Sequence, residues 1–164
     1  MKMHSVIHLT ALALLTCLTG TPAAYAATAT TTFNVTATVP TSCSVSAGGD
    51  LAFGSYSGTQ LAATTTVSVT CTSGGSYTVG LDDGANFSTP NRRMLHGTVD
   101  YLNYELYKEV GLTNRWGSAG GELVSGTGSG SAQSLTVYGK LLAGQTLIAG
   151  SYTDLITVTV TYTP

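Results

Sequence analysis

Charge is the scarcest commodity in this sequence. Only 9% of its 164 residues are Asp, Glu, Lys or Arg, with six basic against eight acidic side chains and a formal net charge of −2. A typical soluble chain carries about 25%. So few cations form no basic patch, which excludes nucleic acid and anionic membrane surfaces as partners. Tryptophan occurs once, proline four times, and cysteine and histidine three times each. Metal centres built from Cys and His clusters are therefore out of reach. What remains is 43% apolar residues, 20 glycines and many Thr and Ser. Hydroxyls do the solvating work that charges do elsewhere, and the length suits one domain.

The first residues read as a targeting segment. Lys2 is followed by an apolar stretch from Ser5 to Leu18 and by Thr21-Pro22-Ala23-Ala24-Tyr25-Ala26, an A-x-A cleavage pattern. The stretch is short, and Thr10 and Thr16 break it, whereas a membrane span needs about 20 apolar residues. Residues 1–26 are assigned to a secretory signal peptide. Its removal takes Cys17, His4 and His8 with it. Cys43 and Cys71 then remain as a pair in an oxidising compartment and are expected to form a disulfide. Closing a loop of about 30 residues stabilises by roughly 3 to 4 kcal/mol on the chain-entropy account.

Period-two alternation recurs along the rest of the chain, with no helical stripe. Phe33, Val35, Ala37 and Val39 alternate with Thr and Asn along residues 32–39, and Pro40 closes the run. Val67, Val69 and Cys71 form a second apolar face. Tyr77, Val79 and Leu81 follow a Gly74-Gly75 turn. Leu102, Tyr104 and Leu106 make another, Leu135 and Val137 another, and Ile156, Val158, Val160 and Tyr162 the last. The fold class is all-β, a sandwich. Residues 82–96 and 117–132, rich in turn formers and glycine, read as loops. The final strand runs almost to Pro164, where an immunoglobulin-like sandwich would continue with one more strand. Either residues 32–39 fill that place in their own chain, or another chain does.

Few residues offer catalytic chemistry. His96 is the one histidine after the signal, and near Asp82, Asp83 and Asp100 it lacks the nucleophile of a Ser-His-Asp site; it reads as an exposed loop histidine. Asp82-Asp83 lacks the spaced ligands of a calcium loop and reads as a solvated turn. Gly126-Thr127-Gly128 has no phosphate-loop lysine. Arg92-Arg93 is too short for a glycan patch and is assigned to subunit packing. Trp116 is assigned a structural role. Asn34-Val35-Thr36 and Asn86-Phe87-Ser88 match a sequon that matters only in a eukaryotic secretory route. No catalytic residue, metal ligand, cofactor or small-molecule substrate is expected, and the chain is not read as an enzyme.

A set of ordered pieces carries a family resemblance: Ser42-Cys43-Ser44-Val45, Leu51-Ala52-Phe53-Gly54, Asn86 with Arg92-Arg93-Met94, Tyr104-Glu105-Leu106-Tyr107, Trp116-Gly117, Val124 to Gly130, Val137-Tyr138-Gly139, Ala143-Gly144-Gln145 and Gly150 to Asp154. Together they resemble the spore coat protein U domain of archaic, Csu-type chaperone-usher pilus subunits. The resemblance implies an incomplete immunoglobulin-like β-sandwich lacking its last strand, completed by a donated N-terminal strand. Residues 27–40 would be the donor extension, with Phe33, Val35, Ala37 and Val39 as its apolar face. Residues 41–164 would be the pilin domain, with Val45, Ile156, Val158, Val160 and Tyr162 lining the acceptor groove. It also implies neighbouring subunits, a periplasmic chaperone and an outer-membrane usher as partners, and export to the periplasm and then to a surface pilus serving attachment and biofilm formation. The rivals are a spore or cell-coat protein of the same fold and a self-complemented secreted carbohydrate-binding module, the latter binding near Trp116 or Asn86.

Overall fold

The structure, a computed structural model, describes residues 25–164. The signal-peptide assignment falls almost wholly outside them. The N-terminal unit, described from Tyr25 to Ala37, has no helix or strand, and every residue is exposed. The expected strand at 32–39 is therefore not formed. Its alternation suits a pleated ribbon, but a ribbon needs a neighbouring backbone for its hydrogen bonds.

The second unit, Thr38–Pro164, is a two-sheet sandwich. Its strands are β1 (Cys43–Ala47), β2 (Leu61–Cys71), β3 (Ser76–Leu81), β4 (Arg92–His96), β5 (Asp100–Tyr107), β6 (Val124–Thr127), β7 (Ala132–Leu141) and β8 (Val158–Tyr162). One sheet has the order β1-β2-β7-β5-β4 and the other β6-β3-β8. Every pairing is antiparallel. The core forms where the expected alternations point inward: Val67, Val69 and Cys71 from β2, Val79 and Leu81 from β3, Leu102, Tyr104 and Leu106 from β5, and Val137 and Leu141 from β7. Trp116 is buried, and its indole N–H donates to the Val79 carbonyl at 3.0 Å. That polar tip is satisfied and serves the fold, as a structural anchor must.

Two expected loops contain strands. β4 begins with two arginines, so it shows no apolar alternation, yet its partner register sets Arg92 opposite Tyr104 and Met94 opposite Leu102. β6, Val-Ser-Gly-Thr, has a glycine at its centre because a Cβ on Gly126 would come within 2.4 Å of the Tyr77 ring. Backbone pairing with β3 makes it a strand where side-chain composition suggests a linker.

Candidate functional site: an open flank of the sandwich

Along the sheet edges β1 and β8 the inner-face side chains are left uncovered. Val45 lies directly across from Val69, which is wholly buried, yet Val45 is 40% exposed. Ala47, across from buried Val67, is exposed as well. The second sheet repeats the anomaly. Val158, Val160 and Tyr162 face buried Leu81, Val79 and Tyr77, but the first two are only half-buried and Tyr162 is exposed. Side chains on the inner face of a closed sandwich would be covered by the opposite sheet and the next strand. Here one layer of cover is missing on the same flank of both sheets.

The flank opens into a cleft of about 1120 Å³. Inner-face residues Val67, Leu102, Leu106 and Val137 contribute to it, together with Ala47, Leu51, Phe53 and Tyr56 on one side and Ile156 and Val158 on the other. Of the expected groove residues, Ile156 and Val158 line the cleft, Val160 packs against the core beside it, Val45 stands exposed on β1, and Tyr162 borders a shallower trough with Ser76 and Thr78 on the second sheet. Leu51, Phe53 and Tyr56 are cleft residues that the alternation argument did not reach. They sit in a stretch with no strand assignment, placed by side-chain packing. Phe53 meets Tyr104 edge-on, with ring centroids 6.3 Å apart. Gly139 makes room for the segment, since a Cβ there would lie 2.8 Å from both Leu51 and Phe53. Tyr56 closes one end, its hydroxyl donating to the Leu142 carbonyl at 2.9 Å and accepting from the Gln145 amide at 3.0 Å. Among the described residues, the backbone of 50–57 makes no hydrogen bond to other backbone. The signal that could have revealed it is the motif Leu51-Ala52-Phe53 itself, two large apolar residues between glycines.

Cys43 and Cys71 are joined by a disulfide with an S–S distance of 2.06 Å, at the pair where β1 meets the end of β2. It fixes the five-residue edge strand to the sheet beside the open flank. The donor candidates Phe33, Val35 and Val39 are 85%, 87% and 79% exposed, and Ala37 is exposed too.

Behind the other wall lies a charge cluster built around one buried arginine. Arg92 is wholly buried. It bonds the carboxylate of Glu105 and donates to the carbonyls of Leu81, Asp82 and Trp116 at 2.6 to 3.1 Å. Arg115 joins Glu105 at 3.0 Å and Glu122 at 2.6 Å, and pairs with Asp83. Burial works to lower the Arg115 pKa, but bonds to Asp83 and Glu105 outweigh it and hold the guanidinium charged. Arg92 is thus no subunit-packing residue. A buried guanidinium needs partners for its donors, and the domain's own carbonyls and Glu105 supply one or more to each of its three nitrogens. Arg93, its neighbour, lies over the Tyr101 ring at 4.0 Å and donates to the Asn86 carbonyl at 2.8 Å.

Asp82-Asp83 is likewise no free turn. Asp83 pairs with Arg115, and Asp82 accepts from the Thr157 amide at 2.9 Å and the Gly84 amide at 3.1 Å. Burial works to raise the Asp82 carboxyl, but the Thr157 and Gly84 bonds outweigh it and hold it below its ordinary value. Asp154 accepts from the Tyr104 hydroxyl at 2.7 Å and from the Asn86 side chain at 3.0 Å. Burial and that bond push the Tyr104 phenol far above its ordinary range, so it acts as a neutral donor. His96 ends β4 half-buried rather than in an exposed loop. Its ring lies 5.2 Å from that of Tyr152, and Nδ1 is 3.1 Å from the Ser151 carbonyl. These polar groups are spent on holding backbone. Of the two residues named for a carbohydrate site, Trp116 is buried and Asn86 is bonded to Asp154.

Comparison with known proteins gives concordant matches. Residues 29–159 match the family described as Spore Coat Protein U domain. Protein U of Myxococcus xanthus is 34% identical over 157 residues, covering 85% of this chain and 88% of that protein. A solved structure is similar with a TM-score of 0.58 and 27% identity over 75% of this chain: the chaperone–tip adhesion subunit pre-assembly complex CsuC–CsuE from archaic chaperone-usher Csu pili of Acinetobacter baumannii. This chain spans 40% of the length of the chain it matches there.

Proposed function

Because the chain belongs to the Spore Coat Protein U domain family, we propose that it is a structural subunit of a chaperone-usher pilus, polymerising by donor-strand exchange. The observation that carries this reading is the paired anomaly at the flank: inner-face residues of both β1 and β8 are uncovered, and a cleft reaching Leu51, Phe53, Leu102, Leu106 and Ile156 lies beside them. One added strand would cover both edges. Residues 32–39 offer such a strand, alternating, uncharged and without a ladder of their own.

The energetics favour completion by a neighbour. Burying Phe33, Val35 and Val39 contributes about 1.5 to 3 kcal/mol each, with less from Ala37. Each new ladder bond adds roughly 0.5 to 1.5 kcal/mol, and the free edge of β8 and the unbonded backbone of 50–57 supply partners. β1 and β8 approach within 8 Å at their Cα atoms, less than the two ladder spacings of about 9 to 10 Å that an intervening strand needs. Strand entry therefore parts them locally. An uncovered flank invites aggregation, so a periplasmic chaperone holds the subunit until an outer-membrane usher exchanges its strand for that of the next subunit. The product is an extracellular fibre serving attachment and biofilm formation.

A second reading has one observation in its favour, the likeness to Protein U and the family's own description: a coat protein that uses the same completion without an usher. Removing the usher would abolish surface display of a pilin and spare that of a coat protein. The exchange itself is tested by mixing the exported chain with a synthetic peptide of residues 27–40. A rise of several degrees in melting temperature with dissolution of multimers is expected. An unchanged melt with excess peptide would overturn the reading.

A further inference from the structure

The wall of the cleft that precedes β8 is spliced into the sheet in an unusual way. β3 and β8 pair in register from Tyr77 opposite Tyr162 to Leu81 opposite Val158, so Asp82 and Thr157 form the next pair. Alternate pairs of an antiparallel ladder exchange both backbone bonds, and the Asp82 amide bond marks this pair as one of them. Only half of that exchange occurs. The Asp82 amide donates to the Thr157 carbonyl at 3.0 Å. The return bond from the Thr157 amide goes to the Asp82 carboxylate, at 2.9 Å, because the Asp82 carbonyl is turned to Arg92 and accepts from Nε at 2.9 Å and Nη2 at 2.6 Å.

Beyond this splice the wall is tied down residue by residue to the neighbouring segments and the core. Leu155 accepts from the Ala85 amide at 3.2 Å, Asp154 holds Asn86 and Tyr104, and Thr153 exchanges backbone bonds with Leu95 at 2.8 and 3.1 Å. Ile156 is left facing the cleft. The apolar side chains lining the cleft would gain by closing on one another. A wall tied down along its length cannot follow.

Resting on the donor-strand reading above, we infer that Asp82, braced by Arg92, is a positioning residue that fixes the segment preceding β8 in place as the acceptor wall for the entering strand. Its carboxylate stands in for a backbone acceptor, so the ladder ends after Leu81 and Val158 without leaving the Thr157 amide unpaired.

The test uses the full exported chain and a fluorescent peptide of residues 27–40, with association followed by anisotropy for wild type, Asp82→Ala and Asp82→Asn. Asparagine keeps an oxygen for the Thr157 amide, and alanine does not. The alanine variant is expected to bind about tenfold or more weakly, through slower association, with asparagine within about threefold of wild type. A purely structural role would lower the urea midpoints of empty and peptide-filled chains alike and leave peptide affinity unchanged, and that result overturns the inference while the donor-strand reading stands. Equal losses in both variants overturn it too. Failure of wild type to bind the peptide overturns the donor-strand reading itself. Should the alanine variant not fold, hydrogen exchange on the wild-type chain decides: the Thr157 amide is expected to be protected like the ladder amides of β8, and exchange at the rate of an open loop contradicts the splice.

Discussion

Residues 32–39 and residues 156–162 carry nearly the same alternation, apolar side chains set between threonines, yet only the second run contains a strand. Phe33, Val35 and Val39 stand in solvent, while Val158 and Val160 rest against Leu81 and Val79. Alternation specifies which face a ribbon buries once it has a neighbour, and β3 is that neighbour for the C-terminal run. The difference teaches that strand propensity is a conditional property. Even β8 has met the condition on one side only, and its half-covered inner face is what an unfinished sheet looks like.

The largest expected effect falls on β1, the other edge of the opening. Five residues long and paired on one side, it is tied by Cys43–Cys71 across a sequence separation of 28. Cys43→Ser with Cys71→Ser is expected to remove roughly 3 to 4 kcal/mol from urea unfolding of the exported chain. An unchanged midpoint would mean that the β1–β2 ladder suffices. Val160→Asp places a carboxylate on the inner face and is expected to cost about 2 to 3 kcal/mol in the same assay. Phe33→Asp is the matched change on the unpaired run. It is expected to alter that midpoint by less than about 0.5 kcal/mol, while the variant fails to enter fibres alongside wild type. A domain destabilised as much as by Val160→Asp would mean that the N-terminal run already completes its own sheet.

The smallest effect sharpens the contrast with a segment ordered by one carboxylate instead of a ladder. Glu109 accepts from the Asn114 amide at 2.8 Å, the Thr113 hydroxyl at 2.7 Å and the Thr113 amide at 2.9 Å, and these bonds hold its pKa down to about 2 from an ordinary 4.5. A lowered acid contributes order that is complete above the ordinary value and is lost as the pH falls through the lowered one. Carbon-13 titration of Glu109 is expected to give a midpoint near 2, with the Thr113 and Asn114 amide shifts following. A midpoint near 4.5 would show the loop open in solution.

The strands legible beforehand were those whose inner residues are aliphatic or aromatic at strict alternation, as in β2, β3, β5, β7 and β8. β4 was hidden because its inward position at Arg92 holds a charge, and a buried arginine reads as a surface residue until its partners are known. Glu105, Asp82 and the Trp116 carbonyl are 13, 10 and 24 residues away in sequence, so no local pattern links them. The cleft was less legible. Alternation put Ile156 and Val158 on one strand face, their groove role came only from the family resemblance, and Leu51, Phe53 and Tyr56 sit in an irregular segment whose placement depends on the absence of a side chain at Gly139.

The central claim, that the sandwich lacks one strand, which the chain supplies to a neighbour, is tested most directly by light scattering after size-exclusion chromatography. The exported chain is compared with a variant lacking residues 27–40 and carrying residues 33–39 fused after Pro164 through a flexible linker. The account predicts multimers or chaperone-bound species for the first and a stable monomer for the second. A stable, non-aggregating monomer from the unaltered chain would contradict it.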